Sequence, residues 1–135
     1  MKKPLQYIGI LIAALALAGC ASTPQGLKDD PEAKRSFTVE GNYQAVLKRL
    51  VENRQECRPQ PLIPLGQVIL DVHHYPELRE GSIVEGASGV GTQIYVVIAV
   101  KGDGQNKTTV TTWTKIRTDE FVEKIKKVVN GERIC

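Results

Sequence analysis

Apolar positions along the chain change period several times, and each change marks an element. Phe37 and Val39 share one side of the stretch Ser36 to Glu40, a short strand that Gly41 and Asn42 break. Asn42 is a good N-cap for a helix beginning at Tyr43. Tyr43, Val46, Leu47, Leu50 and Val51 recur at i, i+3, i+4, i+7 and i+8, which predicts a helix with one apolar stripe running to about Glu56, while Lys48, Arg49, Glu52 and Asn53 face water. Arg58-Pro59-Gln60-Pro61 ends it.

From Gln67 onward the period is two. Val68, Leu70 and Val72 share one strand face, and Ile83, Glu85 and Ala87 mark another strand after Gly81. Ile94, Val96, Ile98 and Val100 line the strongest one, with its apolar side turned to the helices. Gly102-Asp103-Gly104-Gln105-Asn106 is a hairpin turn into a last strand, Lys107 to Ile116. Thr118 then caps a second helix, where Asp119 and Glu120 complement the dipole and Phe121, Val122, Ile125, Val128 and Val129 form the buried stripe. Asn130-Gly131 stops it. The order β-α-β-β-β-β-α predicts an α+β fold, an antiparallel sheet with both helices on one face and the other face open.

That open face is where the pattern places candidate binding residues. If Ile94 to Val100 face the helices, Tyr95, Val97 and Ala99 point outward. Thr109, Thr111, Trp113 and Lys115 have the parity that puts them alongside. Tyr95, Val97, Thr109, Thr111 and Trp113 are therefore the expected surface. Trp113 is either cross-strand packing or the centre of a binding patch, since tryptophan and tyrosine are favoured anchors.

The amino-terminal end reads differently. Lys2 and Lys3 precede Ile8 to Ala18, which carries no charge, the plan of an export signal. The run is too short for a hydrocarbon core of about 30 Å, which needs roughly 20 helical residues. Leu17-Ala18-Gly19-Cys20 resembles the lipobox that signal peptidase II recognises in bacterial lipoproteins, with small residues entering the protease cleft and the Cys20 thiol accepting diacylglycerol. The resemblance implies cleavage before Cys20 and fatty acylation, such as palmitate, of the new amino terminus. Two or more chains anchor stably where one is marginal. Because Ala21 and not aspartate follows Cys20, the resemblance also implies the outer membrane, facing the periplasm. The division is then signal peptide 1–19, lipidated cysteine and flexible tether 20–35, and periplasmic domain 36–135. In Ala21 to Arg35 only Leu27 is a sizeable apolar side chain, too little to offset the ordering entropy. Such a tether holds a domain roughly 20 Å from the bilayer, at most about 50 Å.

Charge and cysteines add little beyond this. Of 18 Lys and Arg, 16 remain without Lys2 and Lys3 against 15 Asp and Glu, a net +1 that gives no drive toward nucleic acid. Lipidation takes one of the three cysteines and leaves Cys57 and Cys135, either a disulfide in an exported protein or two free thiols.

Chemistry-bearing motifs are sparse. His73 and His74 are neighbours in a strand and point to opposite faces, so they do not clasp one metal ion together; Asp71 and His73 share a face without an evident third ligand. Gly86-Ala87-Ser88-Gly89-Val90-Gly91 leads into a strand and not a helix, so it is a turn or bulge and no phosphate cradle. Ser36, Ser82 and Ser88 have no flanking signature of a nucleophile. No catalytic residue, metal or cofactor is expected.

The stretch Phe37 to Leu47, leading to Cys57, resembles the opening of small Gram-negative envelope lipoproteins of unknown function. The helix-on-sheet outline is also similar, by topology alone, to helix-grip modules in lipoproteins of envelope assembly machines. The function expected is a non-catalytic, membrane-tethered interaction module for an envelope protein partner; the alternative is a small-ligand carrier or enzyme using the space between sheet and helices.

Overall fold

The computed structural model describes residues 21–58 and 66–135; the expected signal segment, Cys20 and the prolines at 59, 61 and 64 lie outside the described residues. The elements are α1 (Pro24–Lys28), β1 (Lys34–Glu40), α2 (Tyr43–Glu56), β2 (Gln67–Tyr75), a 3-10 turn (Pro76–Leu78), β3 (Glu80–Gly89), β4 (Gly91–Gly102), β5 (Lys107–Thr114) and α3 (Thr118–Val129). All strand pairs are antiparallel, in the order β1-β5-β4-β3-β2. Helices α2 and α3 lie on one face, as the apolar stripes predict. The fold is the expected α+β arrangement with one short helix, α1, added in front.

Local chemistry explains the boundaries. The Asn42 side chain accepts a hydrogen bond from the Gln44 amide at 2.8 Å and starts α2. Tyr43, Val46, Leu47 and Leu50 are buried by it, and so is Asn53, expected to face water, which instead turns to the chain's last residues. Thr118, expected as the cap of the last helix, is its first helical residue instead. Arg117 precedes it in a left-handed conformation, φ 47°, and the Thr118 hydroxyl donates back to the Thr114 carbonyl at 3.0 Å. Gly131, at φ 98°, lets the chain leave α3.

The helix-facing core joins Leu50 of α2, Ile83 of β3, Ile98 of β4, Val110 of β5 and Ile125 of α3, all fully or almost fully buried. An ion pair spans it. Arg54 of α2 grips both oxygens of Glu85 of β3 through its Nε and Nη2, the second bond at 2.7 Å, with Phe121 packed 5.7 Å from the guanidinium. A disulfide joins Cys57 at the end of α2 to Cys135, with Cα atoms 5.3 Å apart. Beside it Asn53 donates to the Ile134 carbonyl at 2.7 Å, so the last residues are tied down twice.

Strand β5 lines this core with threonine. Thr108 donates to the Gly41 carbonyl at 2.8 Å, and Thr114 accepts from the Ile116 amide at 3.2 Å. Thr112 is fully buried, and its hydroxyl has no partner among the described residues. A buried hydroxyl without a hydrogen bond costs about 1 to 3 kcal/mol. Thr112→Val is therefore expected to raise stability by about 1 kcal/mol, read as a higher denaturant midpoint at constant slope. A loss of stability would sink this account of the site.

One irregularity decides which residues face which way. Strands β3 and β4 pair Glu85 with Val96 but Gly86 with Ile94, so Tyr95 is one extra residue on β4. This bulge turns the beginning of β4 over. Val96, Ile98 and Val100 face the helices as expected, whereas Ile94 does not: it packs on the opposite face. Gly86 permits the bulge, because a Cβ there would overlap the Gln93 carbonyl oxygen. The glycine-rich stretch is thus a bulge followed by the β3–β4 hairpin turn.

Candidate functional site

The outward face of the sheet is built in rows set by strand register. One row runs Lys34, Trp113, Val97, Val84, Asp71 across all five strands, and the next runs Ser36, Thr111, Ala99, Ser82, His73. The first row carries apolar side chains at its centre and the second carries small ones. Neither helix of the main core reaches them.

The segment 21–33 covers the apolar row, so the expectation of a flexible tether over Ala21 to Arg35 is corrected. Lys34 and Arg35 belong to β1, and the residues before them form a strap across the sheet. Thr23 starts α1 by accepting from the Gly26 amide at 3.1 Å, and Pro24 occupies the first turn, where its missing N–H costs nothing. The helix delivers Leu27, 1 % exposed, onto Val84, Ile94 and Val97, with Ala33 beside it. Backbone bonds fasten both ends: the Ile94 amide donates to the Ala21 carbonyl and the Thr114 amide to the Ala33 carbonyl, each at 3.1 Å. One leucine suffices because three apolar side chains of the sheet form its socket.

The expected binding surface changes accordingly. Val97 is fully buried beneath the strap and is not available to a partner. Trp113 is half-buried, with the ammonium groups of Lys28 and Lys34 at 5.4 and 6.0 Å from its ring centroid. Tyr95 sits on the bulge, 40 % exposed, and its hydroxyl donates to the Gln93 side chain at 3.1 Å. Thr109 is exposed and Thr111 half-buried, its hydroxyl 3.0 Å from that of Ser36. What remains open is a polar, small-residue band. Leu27, Ala33, Val84 and Ile94 are the contributors that periodicity missed. The signal for the first was Thr23-Pro24, a cap followed by proline at a helix start.

Charge also holds the strap. Lys115 lies 3.1 Å from Asp30, and its hydrogen bond, with the Glu32 amide donating to the same carboxylate, holds the Asp30 carboxyl below its ordinary value of 3.8. Because the folded value is depressed, this tie is complete above the unfolded value and is lost as pH falls through the folded one. Leu27→Ala is expected to cost about 2 to 4 kcal/mol of strap docking. Limited proteolysis at Lys28 checks it: cleavage should accelerate in the variant while the sheet stays resistant. Unchanged protection at Lys28 would contradict the strap.

His73 stacks on Tyr75 with ring centroids 6.4 Å apart, while the Nε2 atom of His74 lies 3.2 Å from the Tyr43 hydroxyl on the helix-bearing side. They take opposite faces, as alternation requires. Among the described residues no group of three His, Cys, Asp or Glu side chains could hold a metal ion, and no helix is long and apolar enough to cross a membrane. Two surface hollows lie open to solvent. One lies between Asp30, Arg35, Lys115 and Asp119, the other between Asn42, Tyr43, Arg79 and Lys107.

No known protein-family model matches the chain, and no curated protein is detectably similar to it.

Proposed function

We propose that this chain is an envelope lipoprotein, anchored in the outer membrane through lipid on Cys20 and facing the periplasm, whose domain is a non-catalytic module that engages another envelope protein. The observation that carries the reading is the box Leu17-Ala18-Gly19-Cys20 after an uncharged apolar run. Ala21, the residue after the expected lipid site, is hydrogen-bonded to the sheet, so the folded domain has no slack between itself and its anchor. The disulfide between Cys57 and Cys135 suits an oxidising compartment.

The module reading is favoured over a ligand carrier because Leu50, Ile98, Val110 and Ile125 fill the space between sheet and helices. Recognition then falls to the outward band around Thr109 and Thr111. Cys20→Ser is expected to leave the precursor uncleaved and to remove it from outer-membrane fractions; normal processing and fractionation would refute the anchor. Affinity capture of the lipidated protein from envelope extract separates the two functions. A module recovers one defined protein, whereas a lipid or other small molecule bound without protein would refute it.

A further inference from the structure

The sheet has two edges, and the chain guards them differently. Strand β1 ends in charge, with Lys34, Arg35 and Glu40 along seven residues, and Arg35 is tied to Asp119 of α3 at 2.8 Å. Strand β2, QVILDVHHY, is longer, has no lysine, arginine, glycine or proline, and carries one acidic residue, Asp71. Val72 and Tyr75 are 41 % and 49 % exposed on it. Among the described residues no helix lies along its free edge. A long edge strand with few charges and exposed apolar side chains is a template for another strand.

The backbone of that edge has a readable direction. A Cβ placed on Gly81 would lie 3.3 Å from the His73 carbonyl oxygen, so that carbonyl points toward β3. Arg58 donates to the Val68 carbonyl at 3.4 Å from outside the sheet. Pairing with β3 is continuous from Gln67 to Tyr75, so parity holds throughout. The N–H and C=O groups of Leu70, Val72 and His74 therefore point away from β3.

We propose that β2 pairs antiparallel with β2 of a second copy of this chain, on a two-fold axis through Val72. In that register Val72 meets Val72 and Leu70 meets His74 as hydrogen-bonded pairs. Between them Asp71 faces His73, and Ile69 faces Tyr75, each twice by symmetry. A carboxylate facing an imidazole N–H donor and apolar–aromatic pairs across strands are favourable. Centring the axis on Asp71 would set two carboxylates against each other. Centring it on Leu70 would take the Val68 carbonyl from Arg58 and face Asp71 with Ile69. The Val72 axis avoids both.

The two-fold axis stands perpendicular to the sheet, so the two outward faces, and with them both docked Ala21 residues, lie on one side of the doubled sheet. Two chains anchored in one membrane require this. That point rests on the proposed anchor; the strand pairing does not.

Symmetric cross-linking of the full chain in its membrane tests the register. Hydrogen-bonded antiparallel partners have Cα atoms about 5.5 Å apart, within disulfide reach. Val72→Cys should give a dimer on mild oxidation, and Ile69→Cys mixed with Tyr75→Cys should cross-link to each other but neither to itself. Asp71→Lys should weaken dimerisation at least tenfold by sedimentation of the detergent-solubilised protein, and the swap Asp71→His with His73→Asp should restore it. A monomer at every concentration, no cross-link from Val72→Cys, or self-cross-linking of Asp71→Cys would each overturn the pairing. Fractionation of Cys20→Ser reads the anchor separately, so either idea can fail alone.

Discussion

Arg54→Ala is expected to cost the fold about 3 to 5 kcal/mol, because it strands Glu85 rather than because it removes an attraction. Glu85 points from β3 into the helix-facing core, 9 % exposed, and Arg54 is the group that meets both its oxygens. Desolvating a carboxylate is repaid only by such a partner, and the guanidinium fork matches it in a way an ammonium does not. Losing Arg54 also removes the cation above the Phe121 ring. Replacing both partners, Arg54→Met with Glu85→Leu, is expected to return stability to within about 1.5 kcal/mol of the parent. Urea unfolding at neutral pH checks all three proteins. A single variant that loses less than about 1 kcal/mol, or a double variant as unstable as the single, would show that the pair is not holding α2 to β3.

Removing the disulfide is the second large effect. Cys57 and Cys135 are 78 residues apart, and opening a loop of that length returns on the order of 4 kcal/mol of chain entropy to the unfolded state. Cys57→Ser with Cys135→Ser is expected to lower stability by about that amount, and reduction of the parent by dithiothreitol should give the same unfolding curve. Domains of this size hold only about 5 to 15 kcal/mol in total, so either change consumes a large share. The loss should be felt first at the carboxyl end, where Asn53 would remain as the tie to Ile134. If the reduced protein unfolds at the same denaturant concentration as the oxidised one, the bridge does not stabilise the fold.

Much of the architecture was legible because most elements carry a strict period. Strand β5 shows this well: Thr108, Val110, Thr112 and Thr114 fall on the buried side and Thr109, Thr111 and Trp113 on the other, as alternation requires. The Asn42 cap, the α2 and α3 stripes and the Gly102 to Asn106 hairpin followed from local rules of the same kind. Two features escaped, and both concern the outward face. Tyr95 is an unpaired residue inside a run that otherwise alternates, and nothing in Ile94-Tyr95-Val96 marks where one residue is skipped; only the facing Gly86 hints at it. The strap escaped because burial was judged from its own composition, whereas Leu27 is held by side chains supplied from β3 and β4. The candidate surface lost Val97 for the same reason.

The strap's attachments also order events in time. Its backbone partners, Ile94 and Thr114, belong to β4 and β5, so it has nothing to dock on until those strands have paired. Contacts between segments so distant in sequence form late and slowly. Until that pairing the segment 21–33 is uncovered, because the socket of Leu27 is made by Val84, Ile94 and Val97 of β3 and β4. The closing of the sheet is thus the step that shelters Lys28 and its neighbours from proteases, and the strap's protection reports on a completed β3-β4-β5 platform.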